Sequence, residues 1–250
     1  MIHSFLLIGQ SNMAGRGFMN EAKDIDTSRI KVLRNGRWQK MYRPINGDRG
    51  FSGVSLAESF AEMYAEKFNV DVGLICCADG GTSIDQWQPG GLLYDNAVCQ
   101  ARLASRTSTI AGVLWHQGEA DCGEDSYPTY QPRLEKMLSA LRCDLNLYDV
   151  PVIIGGLGDF LKDCEHDEKL KNYEHINNAL MNVAGAMPVT GFASAKGLTS
   201  NPDFLHFNAK SLYEFGHRYF EEFDRLRDRN KVFEEKPGMD DAVRTAMELL

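Results

Sequence analysis

The sequence predicts an α/β fold in which helices cover both faces of a mostly parallel β-sheet. Three observations support this prediction. Short apolar runs alternate with helical patterns, polar or glycine-rich segments follow the runs, and no internal repeat or low-complexity linker divides the 250 residues. One hydrophobic core can serve a chain of this length, so we expect a single domain over residues 1–230, followed by a C-terminal appendage at residues 231–250.

Apolar runs bounded by turn residues predict a sheet of about five strands. The predicted strands are residues 2–8, 70–76, 110–115, 150–154 and 189–193.

Capping residues and apolar stripes predict the helices between these strands. Ser55 and Glu58 form a capping-box pattern that begins one helix, and Asn208 is positioned to cap the last one. The other predicted helices cover about residues 96–103, 130–142 and 173–186.

Charge and hydropathy exclude several classes of protein. The chain has 27 Lys and Arg against 35 Asp and Glu, and this net charge of −8 disfavours nucleic acid as a partner. No apolar run approaches the roughly 20 residues needed to cross a bilayer, so no membrane partner is expected. Because no basic segment precedes the apolar residues 5–8, we expect a cytoplasmic location. Six cysteines without regular spacing indicate buried free thiols.

Ser11 follows the first predicted strand, within Gly-Gln-Ser-Asn-Met at residues 9–13. Ligands of open α/β sheets bind beyond the carboxyl ends of the strands. A serine on a tight turn there can present both its hydroxyl and its backbone N–H to a substrate. The alternative is a turn serine that only caps a helix.

Gly80 and Gly81 follow the second predicted strand. Two glycines let the backbone approach a ligand closely and offer N–H donors to an anion. An ordinary strand-to-helix turn is the alternative. A phosphate-binding loop is disfavoured, because no lysine follows the glycines in the required pattern.

A dense polar segment, residues 116–121, ends the third predicted strand. Gln117 can donate a side-chain N–H to a developing oxyanion, a contribution typically worth about 10²–10³ in kcat. Glu119 and Asp121 would suit a metal ion only if more oxygen ligands converged on them.

Asp203 and His206 lie three residues apart before the last long helix. An acid–imidazole pair fixes the tautomer of the histidine and stabilises the imidazolium that forms when it accepts a proton from serine. A histidine with a purely structural role is the alternative.

Together, the four segments resemble the sequence blocks of the SGNH (GDSL-like) hydrolase superfamily. They are most similar to its sialate O-acetylesterase and acetylxylan esterase-like branch, carbohydrate esterase family six. The matching blocks are GQSNM at 9–13, GGTSIDQW at 80–87, WHQGEAD at 115–121 and DFLH at 203–206. The resemblance spans about residues 2–224 and implies a flavodoxin-like, three-layer α/β/α sandwich, the SGNH hydrolase fold. Gln117 stands where the wider superfamily has asparagine, as is normal for this branch.

The resemblance also implies roles for individual residues. Ser11 is expected to be the nucleophile, His206 the general base and Asp203 its orienting carboxylate. The implied oxyanion hole consists of the N–H groups of Ser11 and Gly81 with the side chain of Gln117. Loop-supporting roles beneath the site are expected for Asn12, His116 and Glu119. Substrate contacts are expected for Gln10, Gly80, Trp87, Arg16 and Asp159.

Two of these expectations concern the surroundings of the site. Trp87 is expected either to stack on a sugar ring or to pack within its loop, and the two are about equally favoured. We interpret residues 164–168 as a solvated acidic loop and not as a metal site.

The implied function is a serine esterase that removes O-acetyl groups from carbohydrates, such as acetylated xylo-oligosaccharides or related sugars. The mechanism passes through an acetyl-enzyme and requires no metal or organic cofactor. The expected partner is a small-molecule or oligosaccharide acetyl ester. One alternative is an acyl-lipid or thioester hydrolase of the same superfamily, which the lack of a long apolar patch in the loops disfavours. Another is a catalytically silent carbohydrate-binding protein, which would have no need of Ser11, Asp203 and His206 together.

Overall fold

The computed structural model describes residues 1–230, which are built around a seven-stranded sheet. The strands are β1 Ile2–Gly9, β2 Ile30–Arg34, β3 Arg37–Lys40, β4 Asp71–Cys76, β5 Thr109–His116, β6 Val152–Gly155 and β7 Thr190–Ala193. Their order is β3-β2-β4-β1-β5-β6-β7, and every neighbouring pair is parallel except β2 and β3. The predicted appendage at residues 231–250 lies outside the described residues.

Helices cover both faces of the sheet, which confirms the predicted three-layer fold. They are α1 Ser11–Ala14, α2 Leu56–Phe68, α3 Leu92–Ala104, α4 Tyr127–Leu145, α5 Tyr173–Ala186 and α6 Ala209–Asn230. Helices α2 and α6 pack against each other in one layer, and α3, α4 and α5 pack together in another. Within residues 1–230, no helix has the length and apolar character needed to cross a membrane.

The predicted helix starts are confirmed at atomic detail. The hydroxyl of Ser55 accepts a hydrogen bond from Ala57 N, and Glu58 Oε1 accepts one from Ser55 N at 3.1 Å. At the start of α6, Asn208 Oδ1 accepts a hydrogen bond from Ser211 N at 2.8 Å. Both caps satisfy N–H groups that have no acceptor inside their helices.

The core between the sheet and the α2–α6 layer is aromatic. Phe5 of β1 lies edge-on to Phe60 and Tyr64 of α2, with 4.8 Å between ring centroids in each case. Its ring also meets Phe223 of α6 at 5.6 Å. Because all four side chains are buried, this cluster joins strand β1 to both helices of the layer.

The prediction of five strands was wrong at one edge, where β2 and β3 add an antiparallel hairpin. Its turn is Asn35-Gly36, and both residues have positive φ, at 51° and 73°. An Asn-Gly pair is the characteristic sequence of this type of hairpin turn, so the hairpin was predictable from that dipeptide. The flanking strands are rich in Lys and Arg, which suits a sheet edge but hides the apolar alternation.

The cysteines are all free, but they are not all buried. Cys77, Cys122 and Cys164 are buried, whereas Cys99 and Cys143 are exposed on helices α3 and α4. The sequence-based expectation of buried free thiols therefore holds for only some of the six.

The sheet has a topological switch point at β1, which lies between β4 and β5. The carboxyl ends of these three strands meet there, and this is where open α/β sheets bind their ligands. Gly9 ends β1 with φ of +128°, and a Cβ at this position would overlap the His116 carbonyl oxygen at the end of β5. Only glycine allows the chain to turn here and place Ser11 beyond the sheet edge.

Candidate active site

Ser11 begins helix α1 directly after the turn at the switch point. The backbone N–H of Gln10 donates to His116 O at 2.9 Å, which fixes the turn to the end of β5. As the first residue of a helix, Ser11 has a backbone N–H without an acceptor inside that helix. No hydrogen bond of the described residues uses this N–H. The serine therefore offers a hydroxyl and an N–H donor at the same place.

His206 and Asp203 complete a hydrogen-bonded chain with Ser11. His206 Nε2 lies 3.0 Å from Ser11 Oγ, and His206 Nδ1 lies 2.7 Å from Asp203 Oδ2. The other carboxylate oxygen of Asp203 accepts the backbone N–H groups of Leu205 and His206, both at 3.0 Å. With the Nδ1 proton directed at Asp203, Nε2 is the nitrogen that can accept the serine proton.

The carboxylate of Asp203 is held in its ionised form. Partial burial works to raise its pKa, but hydrogen bonds from the His206 side chain and from the His206 and Leu205 backbone outweigh burial. The result is a pKa lowered to about 2. Asp203 therefore keeps its negative charge beside the imidazole throughout the neutral range.

Asn12 fixes the loop that carries His206. Its Nδ2 donates to Leu205 O at 3.2 Å, and its Oδ1 accepts the backbone N–H of Phe207 at 3.1 Å. Nδ2 also donates to Glu119 Oε1 at 2.6 Å. The residue next to the serine thus holds both neighbours of the histidine, and the supporting role of Asn12 and Glu119 stays a prediction.

His116 and Glu119 form a buried pair beneath this loop. His116 Nε2 lies 3.4 Å from Glu119 Oε1, and neither side chain reaches solvent appreciably. Burial alone would raise the pKa of Glu119, but the interactions with His116 and Asn12 lower it overall. The Nε2 atom of His116 therefore faces the carboxylate of Glu119.

The glycine turn after β4 approaches Ser11 closely. A Cβ on Gly80 would lie 3.4 Å from the Cβ of Ser11 and 2.5 Å from Arg16 Nη2, so a larger residue does not fit. Gly81 has φ of +77° and open space around it. Within the part of the chain that the structure describes, no hydrogen bond uses its N–H. Ser11 and Gly81 therefore both have a backbone N–H group that no acceptor among the described residues uses.

Arg16 does not reach the rim of the site, which corrects the expected substrate contact. It is 6% exposed and pairs with Asp48 through two hydrogen bonds, Nη2 to Oδ2 at 2.6 Å and Nη1 to Oδ1 at 3.2 Å. Asp48 Oδ2 also accepts the Gly80 N–H at 2.9 Å, so Gly80 has no N–H left for a substrate. Burial would raise the pKa of Asp48, but Arg16 and Ser52 lower it overall. The pair anchors the glycine turn, and Asp48 lies in a loop where no sequence pattern marked it.

Gln117 differs from its expected role as an oxyanion donor. Its side chain is fully buried, and Nε2 donates to Asp121 Oδ2 at 2.6 Å and to Thr82 O at 3.0 Å. Gln10 Oε1 lies 3.3 Å from the same nitrogen, and Gln10 is itself buried. The two hydrogens of this amide are thus committed to internal acceptors, and Gln10 directs its oxygen inward. Both side chains brace the loops under the site.

Trp87 is fully buried, which excludes the predicted stacking on a sugar and selects loop packing. Its ring lies edge-on to Trp115 at 5.7 Å, and Nε1 donates to Thr82 Oγ1 at 3.1 Å. The tryptophan therefore supports the glycine turn from behind. Asp159 is partly exposed at the start of the 3-10 helix Asp159–Asp163, and its substrate contact stays a prediction.

A cavity of about 680 Å³ lies beside the loop of Asp203 and His206. Its lining includes Pro202 and Phe204, the neighbours of Asp203, and residues 162–166. The segment interpreted as a solvated acidic loop thus forms a wall of this cavity. Among residues 1–230, no cluster of three His, Cys, Asp or Glu side chains is arranged to hold a metal ion.

Comparison with known proteins identifies the family of the chain. The family model described as carbohydrate esterase, sialic acid-specific acetylesterase, matches residues 1–225. A probable carbohydrate esterase of Arabidopsis thaliana is 28% identical over an alignment of 243 residues, and the match covers 85% of this chain and 86% of the plant protein. The X-ray structure of that protein superposes with a TM-score of 0.79 at 26% identity, over 89% of this chain and 98% of the other.

More distant structures share the fold. A carbohydrate acetylesterase from Xanthomonas citri matches with a TM-score of 0.66 at 17% identity, over 90% of this chain and 56% of that one. A lipase/acylhydrolase from Enterococcus faecalis matches with a TM-score of 0.56 at 12% identity, over 90% of this chain and 95% of the other. At these identities the likeness concerns the fold, which agrees with the predicted SGNH architecture.

Proposed function

The chain belongs to the sialic acid-specific acetylesterase family of carbohydrate esterases, and from this premise we propose that Ser11, His206 and Asp203 are its catalytic triad. The protein is a carboxylic ester hydrolase. The observation that carries the proposal is the chain of hydrogen bonds from Ser11 Oγ through the His206 ring to Asp203, at 3.0 and 2.7 Å. The proposed substrates are O-acetylated carbohydrates, such as acetylated xylo-oligosaccharides or related sugars.

In the first half of the proposed reaction, Ser11 Oγ attacks the acetyl carbonyl carbon while His206 Nε2 takes the serine proton. The negative charge that develops on the carbonyl oxygen is stabilised by the N–H groups of Ser11 and Gly81. When the tetrahedral intermediate collapses, the bond from carbon to the sugar oxygen breaks. That oxygen receives the proton from His206, and the acetyl group stays on Ser11.

In the second half, water takes the place of the sugar hydroxyl. His206 accepts a proton from water as the water oxygen attacks the acetyl-enzyme, and the same two N–H groups stabilise the second oxyanion. Collapse releases acetate, and the proton on His206 returns to Ser11 Oγ. Asp203 remains ionised throughout, which its pKa of about 2 supports.

The surroundings of the site favour a sugar over a lipid as the alcohol part of the ester. The cavity beside Asp203 is lined by charged side chains, among them Lys162, Asp163 and Glu165. An acyl chain placed there would bury those groups without partners, which is costly. This observation disfavours the acyl-lipid or thioester hydrolase, the second candidate that the sequence left open.

Acetate release from defined esters tests the proposal. We expect wild-type protein to hydrolyse acetylated xylo-oligosaccharides or O-acetylated sialic acids, and to prefer acetate over octanoate esters. Ser11→Ala is expected to lose about 10⁴–10⁶ in kcat. Ser105→Ala, at the exposed end of α3, is the matched control and should leave kcat unchanged. Full activity of Ser11→Ala contradicts the serine mechanism, and absence of activity toward every ester favours a silent carbohydrate-binding protein.

A cytoplasmic location, expected from the sequence, stays part of the proposal. Fractionation of the source cells tests it, and recovery of the protein from the culture medium contradicts it.

A further inference from the structure

Phe204 combines two properties that a large aromatic residue rarely shows together. Its φ is +52°, in the left-handed region that favours glycine and asparagine and strains a bulky side chain. Its side chain is also 45% exposed, so the ring adds little to the hydrophobic core. Of the other four non-glycine residues with positive φ in residues 1–230, three are asparagines and the fourth is Val189. Strain of this kind tends to be kept where a residue has a function.

The position of Phe204 indicates what that function concerns. It lies between Asp203 and His206 in the chain and lines the cavity of about 680 Å³ beside them. Ligand sites commonly have volumes of about 300–1,000 Å³, so the cavity has room for more than a single small group. Its wall is continuous with the triad loop, because Cys164 Sγ lies 3.7 Å from Asp203 O.

The wall that includes residues 162–166 carries polar groups with unused hydrogen-bonding capacity. Lys162, Glu165 and His166 line the cavity, and none of them has a side-chain hydrogen bond or ion pair within residues 1–230. They provide donors and acceptors to a ligand. The lining of the cavity thus offers both an aromatic ring and hydrogen-bonding groups.

We infer that Phe204 and this cavity form a subsite for a further sugar residue of an oligosaccharide ester, beyond the residue that carries the acetyl group. The inference rests on the proposed function and deepens it, because it names the residues that would hold a second sugar of an acetylated oligosaccharide. A sugar ring has an apolar face of C–H groups, which can lie on the Phe204 ring, and an edge of hydroxyls, which can bond to Lys162, Glu165 and His166. Phe204 therefore takes the platform role that was one of the two alternatives for Trp87, which is buried.

The test compares two substrates, acetylated xylotriose and acetylated xylose, in variants of Phe204. Phe204→Asn keeps a residue that tolerates the left-handed conformation but removes the ring. We expect the ratio of kcat/KM for the trisaccharide over the monosaccharide to fall about tenfold, which corresponds to about 1.4 kcal/mol of lost transition-state stabilisation. Phe204→Tyr keeps the ring and should preserve the ratio. In calorimetry, the wild type and Phe204→Tyr should bind unacetylated xylotriose more tightly than Phe204→Asn does.

A control variant separates the effect of losing the aromatic ring from the effect of relieving backbone strain. Val189→Asn relieves positive φ at a site outside the cavity lining, at the start of β7. Both asparagine variants are expected to gain about 2–4 °C in melting temperature. Only Phe204→Asn should lose the preference for the trisaccharide over the monosaccharide. An unchanged ratio in Phe204→Asn, with acetate still released, overturns the subsite alone. No acetate release by the wild type from either sugar overturns the proposed function and the subsite together.

Discussion

Replacing Gln117 with alanine distinguishes a structural amide from an oxyanion donor. If the amide supplies the oxyanion hole, its loss lowers kcat by about 10²–10³ and leaves folding almost unaffected. The structure instead engages Nε2 with Asp121 Oδ2 at 2.6 Å and with Thr82 O at 3.0 Å, in a fully buried position. We therefore expect the main effect of Gln117→Ala to be a loss of stability.

The size of this loss follows from the two bonds. A hydrogen bond to a charged group contributes about 1.5–3 kcal/mol, and one between neutral groups about 0.5–1.5 kcal/mol, so the sum is about 2–4.5 kcal/mol. Asp121 retains one donor, the backbone N–H of Ile84 at 2.8 Å. Because a domain of this size loses about 2–4 °C in melting temperature per kcal/mol, the variant should melt about 4–18 °C below the wild type.

Urea unfolding measures the stability, and hydrolysis of p-nitrophenyl acetate below the melting temperature measures kcat. Gln131→Ala removes a similar amide from the less buried surface of α4, where it bonds Glu135, and should change the free energy of unfolding by less than about 0.5 kcal/mol. The reasoning is refuted if Gln117→Ala stays within about 1 kcal/mol of the wild type while kcat falls about 10²–10³. That result would mean that the amide turns toward the oxyanion when substrate binds.

Three further predictions concern the supports of the triad. Gly80→Ala places a Cβ 2.5 Å from Arg16 Nη2 and should lower both the activity and the free energy of unfolding, the latter by about 1–3 kcal/mol. The control Gly185→Ala adds a Cβ in open space on α5 and should raise the free energy of unfolding by about 0.5–1 kcal/mol. Equal effects of the two variants in urea unfolding would contradict this prediction. Asn12→Ala frees both neighbours of His206 and should lower kcat about 10²-fold while KM changes little, and a change confined to KM would contradict it. Asp203→Asn should lower kcat about 10⁴-fold. The pKa of Asp203 is lowered to about 2 in the folded state, so the ionised carboxylate stabilises the fold above about pH 4, and this contribution is lost as the pH falls toward 2. In Asp203→Asn, the free energy of unfolding should therefore depend less on pH between about 4 and 2. The same pH dependence in the variant and the wild type would contradict this prediction.

Elements with a periodic pattern were predictable from the sequence, and those defined by loop packing were not. The capping box at Ser55 and the cap at Asn208 appear where local spacing placed them, because each depends on residues within one helical turn. The three candidate triad residues, Ser11, Asp203 and His206, could be identified from the sequence blocks and their resemblance to a known family. The sequence gives no distances between their side chains. The structure supplies 3.0 Å and 2.7 Å for the two hydrogen bonds that join them.

The errors at the site share one physical cause, which is that burial of a loop side chain depends on contacts distant in sequence. Trp87 has an amphipathic ring that suits either a sugar or a core, and only the packing of Trp115 against it decides. Arg16 resembled a rim residue because arginines are mostly exposed, yet Asp48, 32 positions away, holds it inside. No period or spacing rule connects such pairs.

The buried Arg16–Asp48 pair is better explained by positioning than by stability. A buried ion pair is weak evidence of net stabilisation, since the desolvation of both charges offsets their attraction. Asp48 Oδ2, however, accepts the Gly80 N–H as well as Arg16, and Gly80 lies directly against Ser11. An apolar replacement of both residues would fill the space but leave that N–H without an acceptor. The turn would then be free to move, and with it the neighbouring N–H of Gly81, one of the two proposed oxyanion donors. The carboxylate of Asp48 thus links a buried charge to the geometry of the proposed oxyanion hole.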